Sequence, residues 1–187
     1  MMKKYTIVAG VNGAGKSTLY QLNPRLRNEH RVNADEILRE LQLDWRDFSS
    51  VLVAGKEAVK RLNNYINEGI SFNQETTLCG KAVIKAIKEA KEKGFLIELH
   101  YIGLDSAELA KERVAHRVSK GGHGVSDEDI ERRYAESFEG LKEVLPLCNL
   151  VAIYDNTLEF RRFAIYKDGC LVRRSHNVPE WFSRKFE

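Results

Sequence analysis

Apolar residues recur at two spacings along the chain, and the spacing changes repeatedly before about residue 156. Short runs rich in apolar and β-branched residues predict strands, whereas apolar residues three and four positions apart predict amphipathic helices. The predicted strands are residues 4–9, 30–35, 70–76, 95–104 and 149–156. The predicted helices are residues 16–22, 36–41, 49–67 and 81–94, with two more after Asp105 and Ser126.

Residues suited to helix ends lie at the boundaries of these segments. Asp35 and Ser126 are placed to cap the helices that follow them, and Asp105 begins a D-x-x-E sequence that resembles a capping box. Gly69 and Gly94 are placed to end helices. These signals support the predicted boundaries.

The alternation of strands and helices predicts an α/β fold, a three-layer sandwich of about five parallel strands covered by helices. After the fifth strand, residues 162–174 are predicted to form a short C-terminal β-hairpin that turns at Asp168 and Gly169. Without a repeat or a linker, residues 1–187 are expected to form a single domain, with the hairpin and tail at about 158–187. Ligands are expected at the carboxyl ends of the parallel strands.

Residues 10–17, GVNGAGKS, match the phosphate-binding pattern G-x-x-x-x-G-K-[ST] in full, between a predicted strand and a predicted helix. Its glycines permit a turn that aims backbone N–H groups at phosphate oxygens, which the helix N-terminus also favours. The motif predicts a P-loop NTPase sandwich of the nucleotide-kinase type. Lys16 is expected to reach the β- and γ-phosphates, and Ser17 to bind Mg²⁺. The residues expected to hold the nucleotide are Gly10, Val11, Asn12, Gly13, Ala14, Gly15, Lys16, Ser17 and Thr18.

Other segments of the sequence restrict the class of reaction that can follow phosphate binding. The chain lacks the N-K-x-D sequence by which GTPases of this fold recognise their base. An ATPase would carry an apolar strand ending in an acid, and LVAIYD, ending at Asp155, is the match. We favour a turn or nucleotide-edge position for Asp155 over a metal role. An ATPase or regulatory module without a small-molecule acceptor remains the alternative.

A kinase needs a carboxylate to accept the proton of the acceptor hydroxyl, and cations to neutralise charge on the transferring phosphoryl group. Asp35 follows the second predicted strand and Glu75 follows the third, so a parallel sheet places both at the edge that carries the phosphate loop. The competing interpretations are a helix cap for Asp35 and an exposed loop acid for Glu75. The pair favours a kinase.

Residues 113–133 combine a cation-rich helix end, a glycine hinge and another helix start, and we interpret them as a lid. Arg113 and Arg117 are four positions apart, so they can present two guanidinium groups to phosphates from one helix face. A solvated helix explains this spacing equally well. Arg133 ends the segment, and His123 in the hinge is either a polar loop residue or a lid contact.

Composition excludes several classes of protein. With 43% hydrophobic and 30% charged residues, the chain is expected to fold without a membrane segment, and its first residues do not resemble a signal peptide. Three widely spaced cysteines argue against a disulfide framework and a zinc site, and fit a reducing cytoplasm. A net charge of +3 is too small to indicate nucleic acid. The tail from residue 160, with seven Lys/Arg and three Asp/Glu, is expected to be a solvated face.

Five segments over residues 5–157 resemble, in the same order, the zeta-toxin family of small P-loop kinases, which includes UDP-N-acetylglucosamine kinase-like proteins. The phosphate loop is specific by itself, and the order of all five carries the resemblance. The segments are GVNGAGKSTL, NADEI, FNQETTL, RVAHRVSKGGHGVSDEDIERRY and LVAIYDNT.

The resemblance implies Mg²⁺-dependent transfer of a phosphoryl group from ATP or GTP to a hydroxyl of a UDP-activated amino sugar, for which UDP-N-acetylglucosamine is the family's acceptor. It implies that Asp35 is the general base. Glu75 and Thr77 would lie at the sugar nucleotide, with His123 as a further contact from the lid. A small helical antitoxin becomes a candidate partner.

The lid matches the family less closely than the other segments do. In the toxins two arginines flank the lid turn, and Arg113 corresponds to the first of them. The second falls near Lys120 or His123, neither of which is an arginine. The residues available to replace it are Arg117, Arg132 and Arg133.

Overall fold

The computed structural model describes residues 2–186, in which seven strands occur. The first five coincide with the predicted strands, and the last two form the predicted hairpin. The strands are β1 Lys4–Gly10, β2 Arg31–Asn33, β3 Phe72–Thr76, β4 Leu96–Gly103, β5 Leu150–Asp155, β6 Arg161–Lys167 and β7 Cys170–Arg174.

Seven α-helices occur in the same part of the chain. None of them is both long and apolar enough to cross a membrane. The helices are α1 Lys16–Leu22, α2 Ala34–Glu40, α3 Phe48–Glu68, α4 Lys81–Glu92, α5 Ala107–Ser119, α6 Asp127–Val144 and α7 Glu180–Phe186, with short 3-10 turns at Pro24–Leu26 and Leu145–Leu147.

All the strands belong to one sheet in the order β2-β3-β1-β4-β5-β6-β7. Strands β2, β3, β1, β4 and β5 pair in parallel, whereas β6 and β7 continue the sheet in antiparallel pairing. The carboxyl ends of the parallel strands therefore meet at one edge, next to the phosphate loop. The predicted α/β sandwich is confirmed, and the hairpin extends its sheet.

Both faces of the sheet are covered by helices. Because successive strand residues point to opposite faces, the neighbours Ile7 and Val8 of β1 belong to different apolar clusters. Ile7 shares its cluster with Leu62 of α3 and Ile87 of α4, and Val8 shares the other with Val114 of α5. The structure is therefore the predicted three-layer sandwich.

Two predicted helix caps are wrong, and the residues that do cap lie close by. Asn33 caps α2, because its Oδ1 accepts a hydrogen bond of 2.9 Å from the backbone N–H of Asp35. Ser106 caps α5 in place of Asp105, because its Oγ accepts a hydrogen bond from the backbone N–H of Leu109. In each case the cap is the extended residue directly before the helix. The carboxylate of Asp35 is thus not used for capping.

The C-terminal tail is not the solvated face that its charge predicts. Its last residues form α7, and Trp181 and Phe182 are buried in the larger apolar cluster. The indole Nε1 of Trp181 donates a hydrogen bond of 3.0 Å to Asp155. Its ring fills the space beside Gly103, where a Cβ would lie 2.3 Å from the ring. The tail therefore closes the core beneath the end of β5.

Two helical glycines in opposite surroundings test this packing. A Cβ at Gly140 of α6 would lie 2.1 Å from the backbone oxygen of Leu78, whereas nothing lies within 4 Å of a Cβ at Gly55 of α3. We expect Gly140→Ala to destabilise the fold by about 1–3 kcal/mol through overpacking. Gly55→Ala should stabilise it by about 0.5–1 kcal/mol, because alanine favours helix. Urea unfolding measures both changes, and a Gly140→Ala variant as stable as Gly55→Ala would contradict the packing.

Candidate active site

The phosphate loop joins the end of β1 to the start of α1. Gly10, Gly13 and Gly15 all have positive φ values, of 143°, 74° and 93°. A Cβ at Gly10 would lie 2.1 Å from the backbone oxygen of Ile102 in β4. Because only glycine combines this conformation with so close an approach, the sequence motif fixes the path of the loop.

Lys16 lies over the loop with its side chain half-buried. Its Nζ donates hydrogen bonds of 3.0 Å to the backbone oxygens of Gly10 and Val11. Burial lowers the pKa of the Lys16 ammonium from its usual value, and the carboxylates of Glu75 and Asp35 oppose that shift. A phosphate group close to this amine would stabilise its charged form.

A network of polar contacts links the loop to the neighbouring strands. The hydroxyl of Ser17 donates to Glu75, with 2.9 Å between Oγ and Oε1, and Arg31 of β2 forms an ion pair of 2.7 Å with the Oε2 of Glu75. The side chains of Arg31 and Glu75 are only 10% and 9% exposed. The predicted strand-end acid is therefore not an exposed loop residue, and it lies directly beside the hydroxyl expected to bind metal.

The oxygen atoms at this point suit a magnesium ion. Mg²⁺ prefers oxygen ligands and is commonly held by one or two protein groups together with phosphates and water. The Ser17 hydroxyl and the Glu75 carboxylate supply such a pair. Within residues 2–186, no group of three or more His, Cys, Asp or Glu side chains is placed to hold a metal ion.

Asp35 lies in the first turn of α2, at the sheet edge that also holds the phosphate loop. Its side chain is 46% exposed, and its Oδ1 lies 3.4 Å from the Nε2 of His123. The corrected cap at Asn33 leaves this carboxylate free to face the cleft that it lines. The predicted base and the predicted lid contact are thus neighbours in the fold.

One cleft of about 290 Å³, called here the first cleft, brings seven of the predicted site residues together. It lies between the phosphate loop, α2, α3, the end of β3 and the two lid helices. The predicted site residues that line it are Asn12, Lys16, Asp35, Glu75, Thr77, Arg117 and Arg133.

Arg117 and Asn12 carry buried polar atoms without partners in the described structure. These atoms are the Nε and Nη2 of Arg117 and the Oδ1 of Asn12, and both residues line the first cleft. Buried polar groups are normally hydrogen-bonded, so a guanidinium left unpaired beside a phosphate loop is suited to an anionic ligand. Arg117 of the predicted lid is therefore suited to bind a phosphate group.

The remaining predicted arginines lie elsewhere. Arg113 does not line the first cleft; it lies beside Gly13, and its Nη2 donates a hydrogen bond of 3.1 Å to the backbone oxygen of Thr157. Arg133 lines the cleft and contacts Asp129 at 3.3 Å. Arg132 is half-exposed, is paired with acids of its own helix and does not line the first cleft. The lid therefore brings Arg117 and Arg133 to the cleft, while Arg113 borders the loop.

His123 occupies the hinge between α5 and α6. Its ring contacts the indole of Trp45, with 5.4 Å between centroids, and it faces Asp35 on another side. Burial lowers the pKa of the His123 imidazole from its ordinary value; the Asp35 carboxylate opposes this shift, and Arg117 and Arg133 reinforce it. His123 is therefore expected to be mainly neutral at pH 7.

Asp155 is occupied by structural contacts. It is buried, and its Oδ1 accepts hydrogen bonds from Trp181 Nε1 at 3.0 Å and from the hydroxyl of Thr157 at 2.7 Å. It does not line the first cleft. This position agrees with the turn role predicted for Asp155. The acid on which the ATPase interpretation depends is therefore not at the first cleft.

Two residues of the site carry no clear signal in the sequence. Arg31 lies in the short strand β2, and its buried pairing with Glu75 depends on strand order, which the sequence does not state. Trp45 lies between α2 and α3, where it has no motif around it. Both residues are recognised only once the fold brings Arg31 to Glu75 and Trp45 to His123.

Several solved structures share this fold. A chain of the AvrRxo1-ORF1:AvrRxo1-ORF2 complex with sulphate ions has a TM-score of 0.70 and 15% identity over 98% of this chain. A chain of the same complex with ATP has a TM-score of 0.57 and 16% identity over 92% of this chain. The present chain spans 63% and 60% of the length of those two chains.

A chain from the PezAT chromosomal toxin-antitoxin system of Streptococcus pneumoniae has a TM-score of 0.57 and 18% identity, covering 83% of this chain and 68% of that one. At these identities the likeness shows the fold. The protein thus has the fold of the zeta-toxin-like P-loop kinases, as the five sequence segments predict.

One relative is more similar in sequence than the solved structures described above. No protein-family model matches the chain. A Haemophilus influenzae protein described as uncharacterized is 32% identical over 134 residues, which cover 72% of this chain and 94% of that protein. The chain belongs to the same family as this Haemophilus protein.

The contact between His123 and Asp35 predicts a measurable titration. We expect the pKa of His123 to lie below the ordinary value for histidine, because burial disfavours the charged imidazole. Asp35→Asn should lower it further, since the substitution removes the negative charge that favours the imidazolium. NMR titration of the ring protons measures both shifts. Glu128→Gln, which removes a helix acid outside the first cleft, is the control, and an upward shift in Asp35→Asn would contradict the geometry.

Proposed function

We propose that the protein is a Mg²⁺-dependent kinase that transfers the γ-phosphoryl group of ATP or GTP to a hydroxyl of a small molecule. The observation that carries the proposal is the first cleft, in which Lys16 of the phosphate loop, the carboxylate of Asp35 and Arg117, with two unpaired buried nitrogens, meet. Binding of nucleotide alone would not require the carboxylate of Asp35 at this position.

The donor side is formed by the phosphate loop and its neighbours. The loop N–H groups and Lys16 would hold the β- and γ-phosphates, and one of the structures with this fold is a complex with ATP. Ser17 and Glu75 would hold Mg²⁺, which when bound neutralises charge on the phosphates. We therefore assign Glu75 to metal binding, whereas the resemblance implies a position at the sugar nucleotide.

The acceptor side is formed around Asp35. The acceptor hydroxyl oxygen bonds to the γ-phosphorus, the bond from that phosphorus to the β–γ bridging oxygen breaks, and the nucleoside diphosphate leaves. Asp35 orients the hydroxyl and takes its proton. Thr77, at the end of β3, lines the same cleft and is placed to bind the acceptor.

The lid supplies positive charge during transfer. Arg117 has two unpaired buried nitrogens in the first cleft, and Arg133 lines the cleft beside it. Preorganised cations of this kind stabilise charge on a transferring phosphoryl group because they need little rearrangement during the reaction. Arg113, which borders the loop, is assigned to the nucleotide side.

The resemblance to zeta toxins makes UDP-N-acetylglucosamine the first acceptor to test. The same resemblance proposes an antitoxin as partner, which is supported by the toxin-antitoxin system among the structures with this fold. The identity of the acceptor and the antitoxin partner are separate parts of the proposal. The phosphoryl-transfer chemistry does not depend on them, because different acceptors can use the same base and loop.

Asp35→Asn tests the base. It removes the proton acceptor while keeping the size of the side chain, so we expect label transfer from γ-labelled ATP to an accepted hydroxyl to fall by roughly 10²–10⁴-fold. Glu128→Gln is the matched control, because Glu128 is an acid in the first turn of α6 and lies outside the cleft. Full transfer by Asp35→Asn would show that the base is misassigned.

Arg117→Met tests the lid cation. Methionine keeps much of the apolar stem but removes the guanidinium, so we expect kcat to fall by roughly 10²–10³-fold. Arg184→Met is the control, since Arg184 is largely exposed, paired with Asp105 and outside the first cleft, and its loss should change kcat little. Equal kcat values for the two variants would exclude the role assigned to Arg117.

A further inference from the structure

The C-terminal hairpin leaves one edge of the sheet open. β7 is the last strand in the sheet order, and within residues 2–186 it pairs with β6 alone. Every residue of β7 is exposed. The strand at the opposite edge, β2, is shorter and none of its residues is exposed. Because the N–H and C=O groups along a sheet edge can pair with a further strand, β7 is the edge available for such pairing.

One face of the hairpin carries two arginines. Arg173 of β7 lies opposite Ile165 of β6, which in turn lies opposite Ala152 of β5. Arg162 of β6 lies opposite Tyr154, which shares an apolar cluster with Ala152. Residues paired across strands place their side chains on the same face, so Arg162 and Arg173 lie on one face of the sheet.

These two arginines line a concavity of about 510 Å³ on the hairpin. Ser175 and His176 line it as well, and no Asp or Glu of residues 2–186 does so. Within the same residues, Arg173 forms no ion pair. A cationic concavity without an acid of its own is complementary in charge to a carboxylate from another molecule.

An exposed apolar side chain lies on the other face of β7. Leu171 lies opposite Tyr166, which lies opposite Val151 of the larger apolar cluster. Leu171 therefore points away from the face of Arg173, yet it is 45% exposed. Val172, at the register shift next to it, is 59% exposed. A strand added beside β7 would meet positive charge on one face and apolar surface on the other.

Charged residues and register shifts also occur at sheet edges as protection against unwanted pairing. Protection alone does not account for the exposed Leu171 and Val172, nor for a concavity at which cations gather. The charge does argue against pairing with a second copy of this chain, because two cationic hairpins would repel each other. An acidic partner experiences the opposite force.

We propose that β7 binds an extended strand of a second protein in which acidic and apolar residues alternate. The backbone of that strand would extend the sheet, its acids would lie beside Arg173 and the concavity, and its apolar residues would lie beside Leu171. No residue of the hairpin lines the first cleft. The interaction surface is therefore separate from the proposed kinase site and goes beyond the proposed function.

Binding of a labelled peptide tests the proposal. We expect a short, terminally blocked peptide of alternating valine and glutamate to bind, as measured by fluorescence anisotropy, and its valine–lysine counterpart to bind at least about tenfold more weakly. Arg173→Glu should weaken binding of the acidic peptide by about tenfold or more, because it replaces attraction by repulsion. Arg25→Glu is the matched control, since Arg25 is an exposed arginine in the 3-10 turn that contacts β3, away from the hairpin.

Modified peptides separate strand addition from simple attraction of charges. N-methylation of alternate residues removes backbone donors and keeps every carboxylate. One of the two possible sets of methylated positions faces β7, so we expect one methylated peptide to lose binding and the other to keep it. In hydrogen exchange, the unmodified peptide should slow the exchange of amides in β7 and leave those in β2 unchanged.

Four results would overturn the proposal. They are no binding of the acidic peptide at millimolar concentration, equal effects of Arg173→Glu and Arg25→Glu, unchanged binding of both methylated peptides, and tighter binding of an oligouridylate of the same length, which would indicate nucleic acid. A wild-type dimer that Arg173→Glu dissociates in sedimentation would make a second copy the occupant and would also overturn it. Peptide binding does not depend on phosphoryl transfer, so failure of the kinase proposal would leave this result intact.

Discussion

The candidate active site depends on Glu75, which forms a largely buried ion pair with Arg31 and accepts a hydrogen bond from the exposed hydroxyl of Ser17. It joins the phosphate loop to β3 and β2, and Arg31 extends it to α1, where its guanidinium lies 3.6 Å from the ring centroid of Tyr20. Removing one partner of a buried ion pair typically costs about 3–5 kcal/mol, because the other charge is left uncompensated. The position of the Ser17 hydroxyl, for which we propose metal binding, is therefore tied to the order of the strands.

This arrangement gives the site two sides with separate tasks. Parallel strands bring the loop, Glu75 and Asp35 to one edge, where we assign the loop and Glu75 to the phosphates and Asp35 to the acceptor. Asp155, the acid that an ATPase interpretation requires, is instead held by Trp181 and Thr157. The geometry thus favours transfer to a bound hydroxyl over hydrolysis.

Most of the fold follows from local sequence patterns, but the site does so only in part. The phosphate loop and the strand-end acids are predictable because glycine conformation and parallel pairing are strong constraints. The cap at Asn33 is missed because several polar residues precede α2 and only backbone geometry distinguishes them. The pairing of Arg31 with Glu75 and the surroundings of Trp45 depend on contacts between distant segments, which the sequence does not show. In α7, the charged residues around Trp181 conceal in the sequence that this side chain is buried.

The central claim is that the phosphate held by the loop is passed to a hydroxyl and not to water. The most direct measurement is the partition of label from γ-labelled ATP between inorganic phosphate and an organic product, separated chromatographically with and without UDP-N-acetylglucosamine or an aryl glycoside. Our account predicts slow phosphate release without acceptor, and label mainly in the organic product when an accepted hydroxyl is present. Release of inorganic phosphate at one rate, whatever hydroxyl compound is added, would contradict it.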